Sequence, residues 1–328
     1  MNKILIIRFS SIGDIVLTTP VIRCIKKQLP DAVIHYLTKE KFRAVLEQNP
    51  YIDEIFTINK EIDEVMLELI RERYDFIVDL HNNIRSWRVK MVLKSPSKAF
   101  NKLNLQKWLK VNFKINLLPD LHIVDRYLEA AKPLGIQNDG KGLDFFLDPD
   151  KSDTRLSLPE RFQDGYVAIV IGGQHKTKMY PADQLIELCK NLNDHVVLLG
   201  GPDDSENGTF IAKEAGDHVL NTCGNYSLME SAWLLAGASH IVTNDTGLMH
   251  IAAALRKDIT SIWGNTIPEF GMYPYFPKEC KAINNMMEVK PLSCRPCSKI
   301  GFKKCPKGHF KCMKNIKPQV ILESIQSH

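Results

Sequence analysis

Short apolar runs alternate with longer mixed stretches along most of this chain, and this alternation limits the possible folds more than any other feature. The longer stretches predict helices, among them one that follows the first strand towards Pro30, one near 43–48 and one over 61–73. The apolar runs predict strands at Lys3–Phe9, Ala32–Leu37, Ile55–Thr57, Phe76–Leu80, Tyr166–Ile171, His195–Leu199, His240–Thr243 and Ile259–Trp263. Strands that alternate with helices form parallel sheets covered by helices on both faces. The sequence therefore predicts an α/β protein with two doubly wound, Rossmann-like domains in tandem. Ligands of such domains bind beyond the carboxyl ends of the strands, so we expect a central cleft between the two domains to hold the site.

The length of 328 residues agrees with two domains of about 150 residues each. A stretch rich in Asp, Ser and Pro, residues 147–165, is the expected linker, which gives an N-terminal domain over 1–155 and a C-terminal domain over 156–328. The first apolar run ends at Arg8, too early for the core of a signal peptide, and no run approaches the roughly 18 apolar residues of a membrane span. We therefore expect a cytoplasmic protein.

Positive charge is concentrated in two strips. Residues 88–114 contain eight Lys or Arg and residues 290–317 contain nine, with no acidic residue in either strip, although the net charge of the whole chain is only +5. Such strips favour anionic partners, namely phosphorylated sugars, acidic lipid headgroups or nucleic acid. Solvated helix faces are the other interpretation of the same pattern.

Four of the eight cysteines are scattered, which is typical of reduced, buried thiols. The other four, Cys294, Cys297, Cys305 and Cys312, have the spacing C-x2-C-x7-C-x6-C within the basic C-terminal segment 290–317. Four thiolates can hold a structural zinc ion, and free or redox-active thiols are the alternative.

A polar loop, Ser10–Asp14, follows the first predicted strand and opens a helix. Gly13 permits a tight turn there, and the helix N-terminus offers N–H groups to an anion or a hydroxyl. The loop is neither a G-x-G-x-x-G fingerprint nor a Walker loop, which argues against a nicotinamide enzyme or a P-loop NTPase. Asp14 could act as a general base, or it could simply cap the helix.

Two loops of the second half carry glycines beside charged residues. Gly173, Lys176 and Lys178 lie in the loop after the strand at Tyr166–Ile171. The glycine and either lysine would hold a phosphate, or the loop would form an ordinary polar turn. Asp204 follows the strand at His195–Leu199 and would accept hydrogen bonds from sugar hydroxyls, although Asp is also a common turn residue.

The most specific motif is Asp245-Thr246-Gly247, which ends a strand and opens a helix that carries His250 one turn further on. Backbone N–H groups, the Thr246 hydroxyl and the helix dipole all favour a diphosphate at this position.

The chain resembles glycosyltransferase family 9, the lipopolysaccharide heptosyltransferases of the GT-B fold. The resemblance extends from Ile4 to about Met313 and depends on several motifs in the same order: Arg8–Asp14, Asp79–Ser86, Lys178–Pro181, Gly200–Pro202 and Asp245–Gly247 with His250. The chain departs from the commoner family pattern at Gly173-Gln174 and at His81-Asn82-Asn83.

The resemblance implies an inverting transfer of heptose from ADP-heptose to the Kdo or heptose of a lipopolysaccharide inner core, with no cofactor required for the chemistry. Asp14 matches the catalytic base. The residues expected to bind the donor are Gly173, Lys178, Asp204, Tyr226, Asp245, Thr246, Gly247 and His250. Those expected to bind the acceptor are Arg8, Ser10, Ser11, Arg85 and His122.

The expected partners are thus ADP-heptose, an anionic lipopolysaccharide precursor and the surface of the inner membrane, which the basic strip 88–114 would contact. Two alternatives stay open. The chain could use another nucleotide sugar or another glycan acceptor, or, in a different class of function, the basic cysteine-rich tail could bind nucleic acid. We expect no nucleic-acid partner if the first interpretation is right.

Overall fold

A computed structural model of the protein describes residues 2–148 and 153–326, which form two compact units. Unit 1 contains the chain up to Lys102, together with Leu121–Phe146 and Tyr275–Lys278. Unit 2 contains Leu103–Asp120, Leu147–Pro274 and the chain from Glu279 onwards. Each unit is built on one parallel sheet, which confirms the predicted α/β class.

The strands are β1 (Lys3–Ile7), β2 (Val33–Lys39), β3 (Glu54–Ile58), β4 (Phe76–Asp79), β5 (Ser97–Ala99), β6 (Val167–Val170), β7 (Val196–Leu199), β8 (Val219–Asn221), β9 (His240–Asn244), β10 (Ile259–Trp263) and β11 (Asn284–Glu288). The α-helices are α1 (Ile12–Val16), α2 (Thr19–Gln28), α3 (Met66–Glu72), α4 (Ile84–Leu93), α5 (Asn104–Phe113), α6 (Ile123–Leu128), α7 (Ala182–Asn191), α8 (Ser205–Ala215), α9 (Leu228–Gly237), α10 (Gly247–Ala254), α11 (Lys311–Lys314) and α12 (Pro318–Gln326).

The sheet of unit 1 has the strand order β3-β2-β1-β4-β5. Ile4 of β1 pairs with Ile34 of β2 on one side and with Phe76 of β4 on the other. The apolar run Ile4–Ile7 is fully buried, as expected for a central parallel strand that is covered on both faces. The strand order reverses between β1 and β4, so the loops that follow these two strands lie at the position where open α/β sheets bind ligands.

The sheet of unit 2 has the order β11-β10-β9-β6-β7-β8. Val167 of β6 pairs with Val196 of β7 and with His240 of β9, so the strand order reverses between β6 and β9. The core of this unit is formed by the buried side chains of β6 and β7 together with those of α7, α11 and α12. The loops after β6 and β9 carry the sequence motifs of the second half of the chain.

Several predicted elements are divided or shortened in the structure. The helix expected after the first strand is two helices, because α1 ends at Val16 and α2 begins anew at Thr19 with Pro20 in its first turn. The helix expected near 43–48 is a 3-10 helix at Glu40–Val45. The helix expected over 61–73 is a 3-10 turn followed by α3.

The expected linker, residues 147–165, includes positions 149–152, which lie outside the described residues. From Thr154 onwards the stretch forms two 3-10 turns and buries Phe162, so this part belongs to the folded body of unit 2. Within the described residues, no helix is both long enough and apolar enough to cross a membrane.

Candidate functional site

In unit 1, Asp14 lies near the loop after β1 and is contacted by two residues, Ser11 and Arg8. The Asp14 Oδ2 atom accepts hydrogen bonds from the Ser11 backbone N–H at 3.0 Å and from the Ser11 hydroxyl at 2.8 Å. The Arg8 guanidinium lies 2.7 Å from Asp14 Oδ1. Ser11 is the N-cap residue of α1, and Asp14 takes part in capping as the third helical residue of a capping box, because it accepts from the Ser11 N–H.

These contacts determine the ionisation of Asp14. Burial by itself would raise the pKa of this carboxyl, but the Arg8 charge and the hydrogen bonds from Ser11 outweigh burial and lower its pKa. The carboxylate is therefore ionised at neutral pH. Its side chain stays 20% exposed, so it is still accessible to a substrate hydroxyl.

Arg8 is itself held in place by backbone carbonyls. Its Nε atom donates to Ser10 O at 2.7 Å and its Nη1 atom donates to Leu80 O at 2.6 Å. Because Leu80 directly follows β4, this side chain ties the loop after β1 to the loop after β4. Arg8 is buried, and its geometry is that of a residue that positions Asp14.

The loop after β4 is organised around Asp79, the last residue of that strand. The buried Asp79 carboxylate accepts hydrogen bonds from the backbone of His81 and Asn82 and from Ser86 Oγ at 2.8 Å, and it pairs with Lys90 at 2.7 Å. These contacts fix the start of α4. The sequence motif Asp79–Ser86 is thus a structural unit that shapes the loop beside Asp14.

His81 is a neighbour of Asp14 that was not among the predicted site residues. Its ring packs edge-on against Phe9, with ring centroids 5.1 Å apart. Burial, together with the charges of Arg8 and Lys102, lowers the pKa of His81 to about 4, so the ring is neutral at pH 7. The strand order supplies the signal that could have found it, because β1 and β4 are neighbours and both end at this edge.

The expected acceptor residues have different environments. Ser11 is exposed and Ser10 is half-buried beside Asp14, while Arg85 is half-buried in the first turn of α4. His122 is buried, and its Nδ1 atom accepts from the Val124 N–H at 3.2 Å, so it caps α6. Its ring also stacks on Tyr275 at 4.5 Å. The structure thus gives His122 a structural task, and its expected contact with the acceptor stays a prediction.

In unit 2 the loops after β6 and β9 are joined by an ion pair. Lys178 Nζ lies 2.6 Å from Asp245 Oδ2, and both side chains are largely buried. Thr266, in the loop after β10, donates its hydroxyl to the same oxygen at 2.8 Å. Three loops of the sheet thus converge on the Asp245 carboxylate, and two of the expected donor residues are in direct contact.

The N-terminus of α10 lies next to this pair. Thr246 is its N-cap residue but makes no side-chain hydrogen bond to the helix. The buried Asn244 amide fixes the turn, since it donates to the carbonyls of Val170, Ile171 and Gly172 and accepts from the Tyr180 N–H. A fixed helix N-terminus beside a lysine is a favourable site for a phosphate group. Gly247 opens the helix, and His250 is buried in its second turn.

Gly172 and Gly173 differ in what surrounds them. A Cβ on Gly172 would lie 2.2 Å from Asp204 Oδ2, so only glycine fits there. A Cβ on Gly173 would meet Met179 at 3.3 Å and Thr246 at 3.8 Å, which places the Gly173 backbone close to the start of α10. Asp204 is buried and accepts from the Gly201 N–H at 2.9 Å. Its carboxylate thus stabilises the turn, which agrees with the interpretation of Asp204 as a turn residue.

Tyr226 lies in the loop after β8, at the same edge of the sheet. Its hydroxyl is 3.1 Å from the Ser157 hydroxyl, and its side chain is half-exposed. The ring is therefore accessible, as a surface that packs against a nucleotide would require, and its role stays a prediction.

The cysteine-rich segment, residues 290–317, contacts the loops that carry or contact the expected donor residues. The buried Arg295 donates to Gly264 O at 2.6 Å and to Thr266 O at 2.9 Å, which holds the loop that contacts Asp245. Phe302 exchanges hydrogen bonds with Thr177, directly before Lys178. This brace, defined by Arg295 and Phe302, is a function of the segment that its cysteine spacing did not indicate.

The four clustered cysteines are free thiols in this structure. Among residues 2–148 and 153–326, no group of three or more His, Cys, Asp or Glu side chains is arranged to hold a metal ion. Burial raises the pKa of Cys297 and, to about 11, that of Cys312, and the charges of neighbouring cysteines of the cluster act in the same direction. The described geometry thus does not fit the structural zinc that the spacing suggested.

The scattered cysteines agree with the expectation of buried thiols at three of four positions. Cys24, Cys189 and Cys223 are buried, and burial raises their pKa values, to about 11 for Cys24 and to about 12 for the other two. Cys280 is the exception, since it is only half-buried.

Comparison with known proteins assigns this arrangement to a family. The sequence model of glycosyltransferase family 9 (heptosyltransferase) matches residues 64–300. The chain is 29% identical to lipopolysaccharide heptosyltransferase 1 of Campylobacter coli, over 80% of this chain and 84% of that protein. It is 25% identical to lipopolysaccharide heptosyltransferase 2 of Escherichia coli K12, over 99% and 98%. The solved structure of the E. coli ADP-heptose lipopolysaccharide heptosyltransferase II has a TM-score of 0.73 and 21% identity, over 99% of this chain and 98% of that one, so the predicted GT-B fold is confirmed.

Proposed function

The chain belongs to glycosyltransferase family 9, as its motifs predicted, and from that premise we propose that it transfers heptose from ADP-heptose to the inner core of a lipopolysaccharide precursor. The acceptor sugar would be Kdo or heptose. Relatives described as lipopolysaccharide heptosyltransferases 1 and 2 align over most of the chain, which supports this choice of acceptor class. A similar structure is described as an ADP-heptose enzyme, which supports the donor.

The observation that carries the proposal is the Lys178–Asp245 pair beside the N-terminus of α10. When the bond between the anomeric carbon and the diphosphate breaks, its electron pair moves to the phosphate oxygen, so negative charge develops on the leaving group. The Lys178 ammonium and the first N–H groups of α10 lie where they would stabilise this charge. Gly173 would allow the close approach of the diphosphate, and Asp245 would accept hydrogen bonds from the sugar hydroxyls.

Asp14 would act as the base. The acceptor oxygen would attack the anomeric carbon from the face opposite the diphosphate, which inverts the configuration, and its proton would pass to the Asp14 carboxylate. The low pKa of Asp14 keeps it ionised for this role, and Arg8 orients it. The neutral His81 adds no charge beside it.

Acceptor recognition would involve Ser10 and Ser11, which flank Asp14, with Arg85 nearby on α4. Arg85 would pair with the carboxylate or phosphate groups of the inner core. The acceptor is anchored to a lipid, so we also propose that the protein works at the cytoplasmic surface of the inner membrane. The chemistry proposed here requires no cofactor, as is general for heptosyltransferases.

The first test is thermal stabilisation of the purified protein by ADP, GDP, UDP, CMP and a nucleic-acid oligomer. We expect selective stabilisation by ADP, because a ligand that binds only the native state raises its stability. A second test is transfer from ADP-heptose to a purified inner-core acceptor, with Lys178→Met as the variant and Lys176→Met as its matched control. We expect Lys178→Met to lower kcat by about 100-fold, as loss of one group that stabilises the transition state commonly does.

The two alternatives predict different results. Stabilisation by GDP, UDP or CMP instead of ADP would indicate another nucleotide sugar. Stabilisation by the oligomer alone, lost at high salt, would indicate that the basic tail binds nucleic acid.

A further inference from the structure

Helix α5 turns an apolar face away from the body of unit 2. Leu105, Trp108 and Phe113 are 65, 52 and 59% exposed, and none of the ten residues of the helix is buried. Their positions, i, i+3 and i+8, lie on one side of a helix. Ile115 and Leu117, which follow the helix, are exposed by half or more. Leu105, Trp108, Phe113, Ile115 and Leu117 together are called the α5 apolar face below.

Two lysines in and directly after α5 contact the rest of unit 2. Lys107 Nζ lies 5.8 Å above the centre of the Phe270 ring. Lys114, directly after the helix, donates to Pro296 O at 2.6 Å. Helices of globular proteins normally bury their apolar side and expose their lysines. Together with the half-buried Leu109 and Val111, these contacts lie on the inner side of α5 and leave the side with Leu105 and Trp108 outward.

The positive charge near this helix indicates what the α5 apolar face binds. Lys107, Lys110 and Lys114 lie in or directly after α5. The contact of Lys114 with Pro296 also places the helix next to residues 290–317 of the same unit, which contain nine Lys or Arg and no Asp or Glu. Exposed Trp, Phe and Leu side chains beside a lysine-rich surface are typical of segments that lie in the headgroup layer of a membrane. Lysines near such a surface are attracted to anionic lipids.

We propose that the α5 apolar face inserts into the headgroup layer of a bilayer that contains anionic phospholipids. The proposal deepens the proposed function, on which it rests, because it names the surface that brings the enzyme to a lipid-anchored acceptor. Trp108 and Phe113, whose ring centroids are 5.2 Å apart, form the aromatic centre of this surface. Aromatic rings of this kind prefer the boundary between headgroups and acyl chains.

A similar face is present on α4 in unit 1. Ile84, Trp87 and Met91 are all more than half exposed at positions i, i+3 and i+7. Helix α4 can be substituted in the same assay, since the spacing of its exposed apolar residues and its central tryptophan, Trp87, resemble those of α5.

The test is flotation of the full-length protein with vesicles of phosphatidylcholine alone and of phosphatidylcholine with phosphatidylglycerol. We expect binding to the anionic vesicles, and we expect the triple variant Leu105→Ser, Trp108→Ser, Phe113→Ser to bind them at least about tenfold more weakly. The matched control is Leu156→Ser, Phe210→Ser, Val320→Ser, which removes three similarly exposed apolar side chains of unit 2 and should bind within about twofold of the wild type.

Three results would overturn the proposal: no binding of the wild type to anionic vesicles, equal binding by the triple variant, or a wild-type dimer that the triple variant dissociates with vesicle binding unchanged. The last result would mean that a second copy of the chain covers the face. For each variant, the melting temperature without ADP reports folding, and the increase on adding ADP reports donor binding. If ADP fails to stabilise the wild type, the proposed function fails, and the vesicle comparison still decides what the α5 apolar face binds.

Discussion

Replacing Asp14 with Asn tests the central assignment of the site with little change in shape. Asn has almost the same volume as Asp, but it carries no charge and cannot accept a proton at neutral pH. In the structure one carboxylate oxygen accepts from Ser11 and the other faces Arg8. The single amide oxygen of Asn can keep one of these two sets of contacts. The variant should therefore fold but lose the base.

The expected magnitude follows from these contacts. A positioned general base contributes about 10²- to 10⁴-fold to the rate, so kcat should fall by that factor, which corresponds to about 3–5 kcal/mol in activation free energy. Loss of one charge-assisted contact should lower the free energy of unfolding by about 1.5–3 kcal/mol. Stabilisation by ADP should be unchanged, because Asp14 lies in unit 1 and the expected donor residues lie in unit 2.

The assay is transfer of heptose from ADP-heptose to a purified acceptor at saturating substrate, measured beside ADP thermal shifts and urea unfolding. Asp63→Asn is the matched control, since Asp63 also pairs with an arginine, Arg88, but is exposed. Its kcat should stay within about twofold of the wild type, because exposed pairs contribute little. If Asp14→Asn keeps kcat within about threefold of the wild type while ADP binding is intact, the base assignment is refuted.

Three further predictions follow from other contacts. Arg8→Met should raise the pKa of Asp14, because it removes the positive charge beside the carboxylate. Since activity needs the ionised carboxylate, the acid limb of the pH profile of kcat should move to higher pH. An unmoved limb would contradict the role of Arg8. Arg295→Met should lower the free energy of unfolding by about 3 kcal/mol and weaken ADP stabilisation, measured by urea unfolding and thermal shift; full retention of both would show that the brace is dispensable. Gly172→Ala should destabilise the protein by about 1–3 kcal/mol and Gly173→Ala by less than about 1, and the reverse order in urea unfolding would contradict the packing described for this loop.

The sequence predicted eight of the eleven strands described here and the loops that follow them, but it missed the edge strands β5, β8 and β11. β1, β4 and β6 were recognisable because central parallel strands are largely apolar, a pattern that depends only on neighbouring residues. The Lys178–Asp245 contact was accessible for the same reason, since loops after adjacent parallel strands meet at one edge of the sheet. The family resemblance then assigned roles to these loops.

The parts that escaped prediction depend on contacts between distant residues. Nothing in the local sequence around Arg295 indicates that it holds Thr266, or that Phe302 pairs with Thr177. Helix α5 is another example. It belongs to unit 2, where Lys114 contacts Pro296, which lies 182 residues further along the chain. Its outward apolar face also gives no periodic pattern that distinguishes it from a buried helix.

Each unit places one cation against one carboxylate at the point where its strand order reverses, and the two pairs have different consequences for the proposed reaction. In unit 1, Arg8 lowers the basicity of Asp14 but keeps it ionised and oriented. In unit 2, Asp245 neutralises Lys178 before any donor is bound, so a diphosphate would have to share the ammonium with that carboxylate. The helix N-terminus and the Thr266 hydroxyl lessen this competition, because one adds positive potential and the other donates to Asp245. Tight binding of the donor and release of the diphosphate would then depend on the same shared lysine.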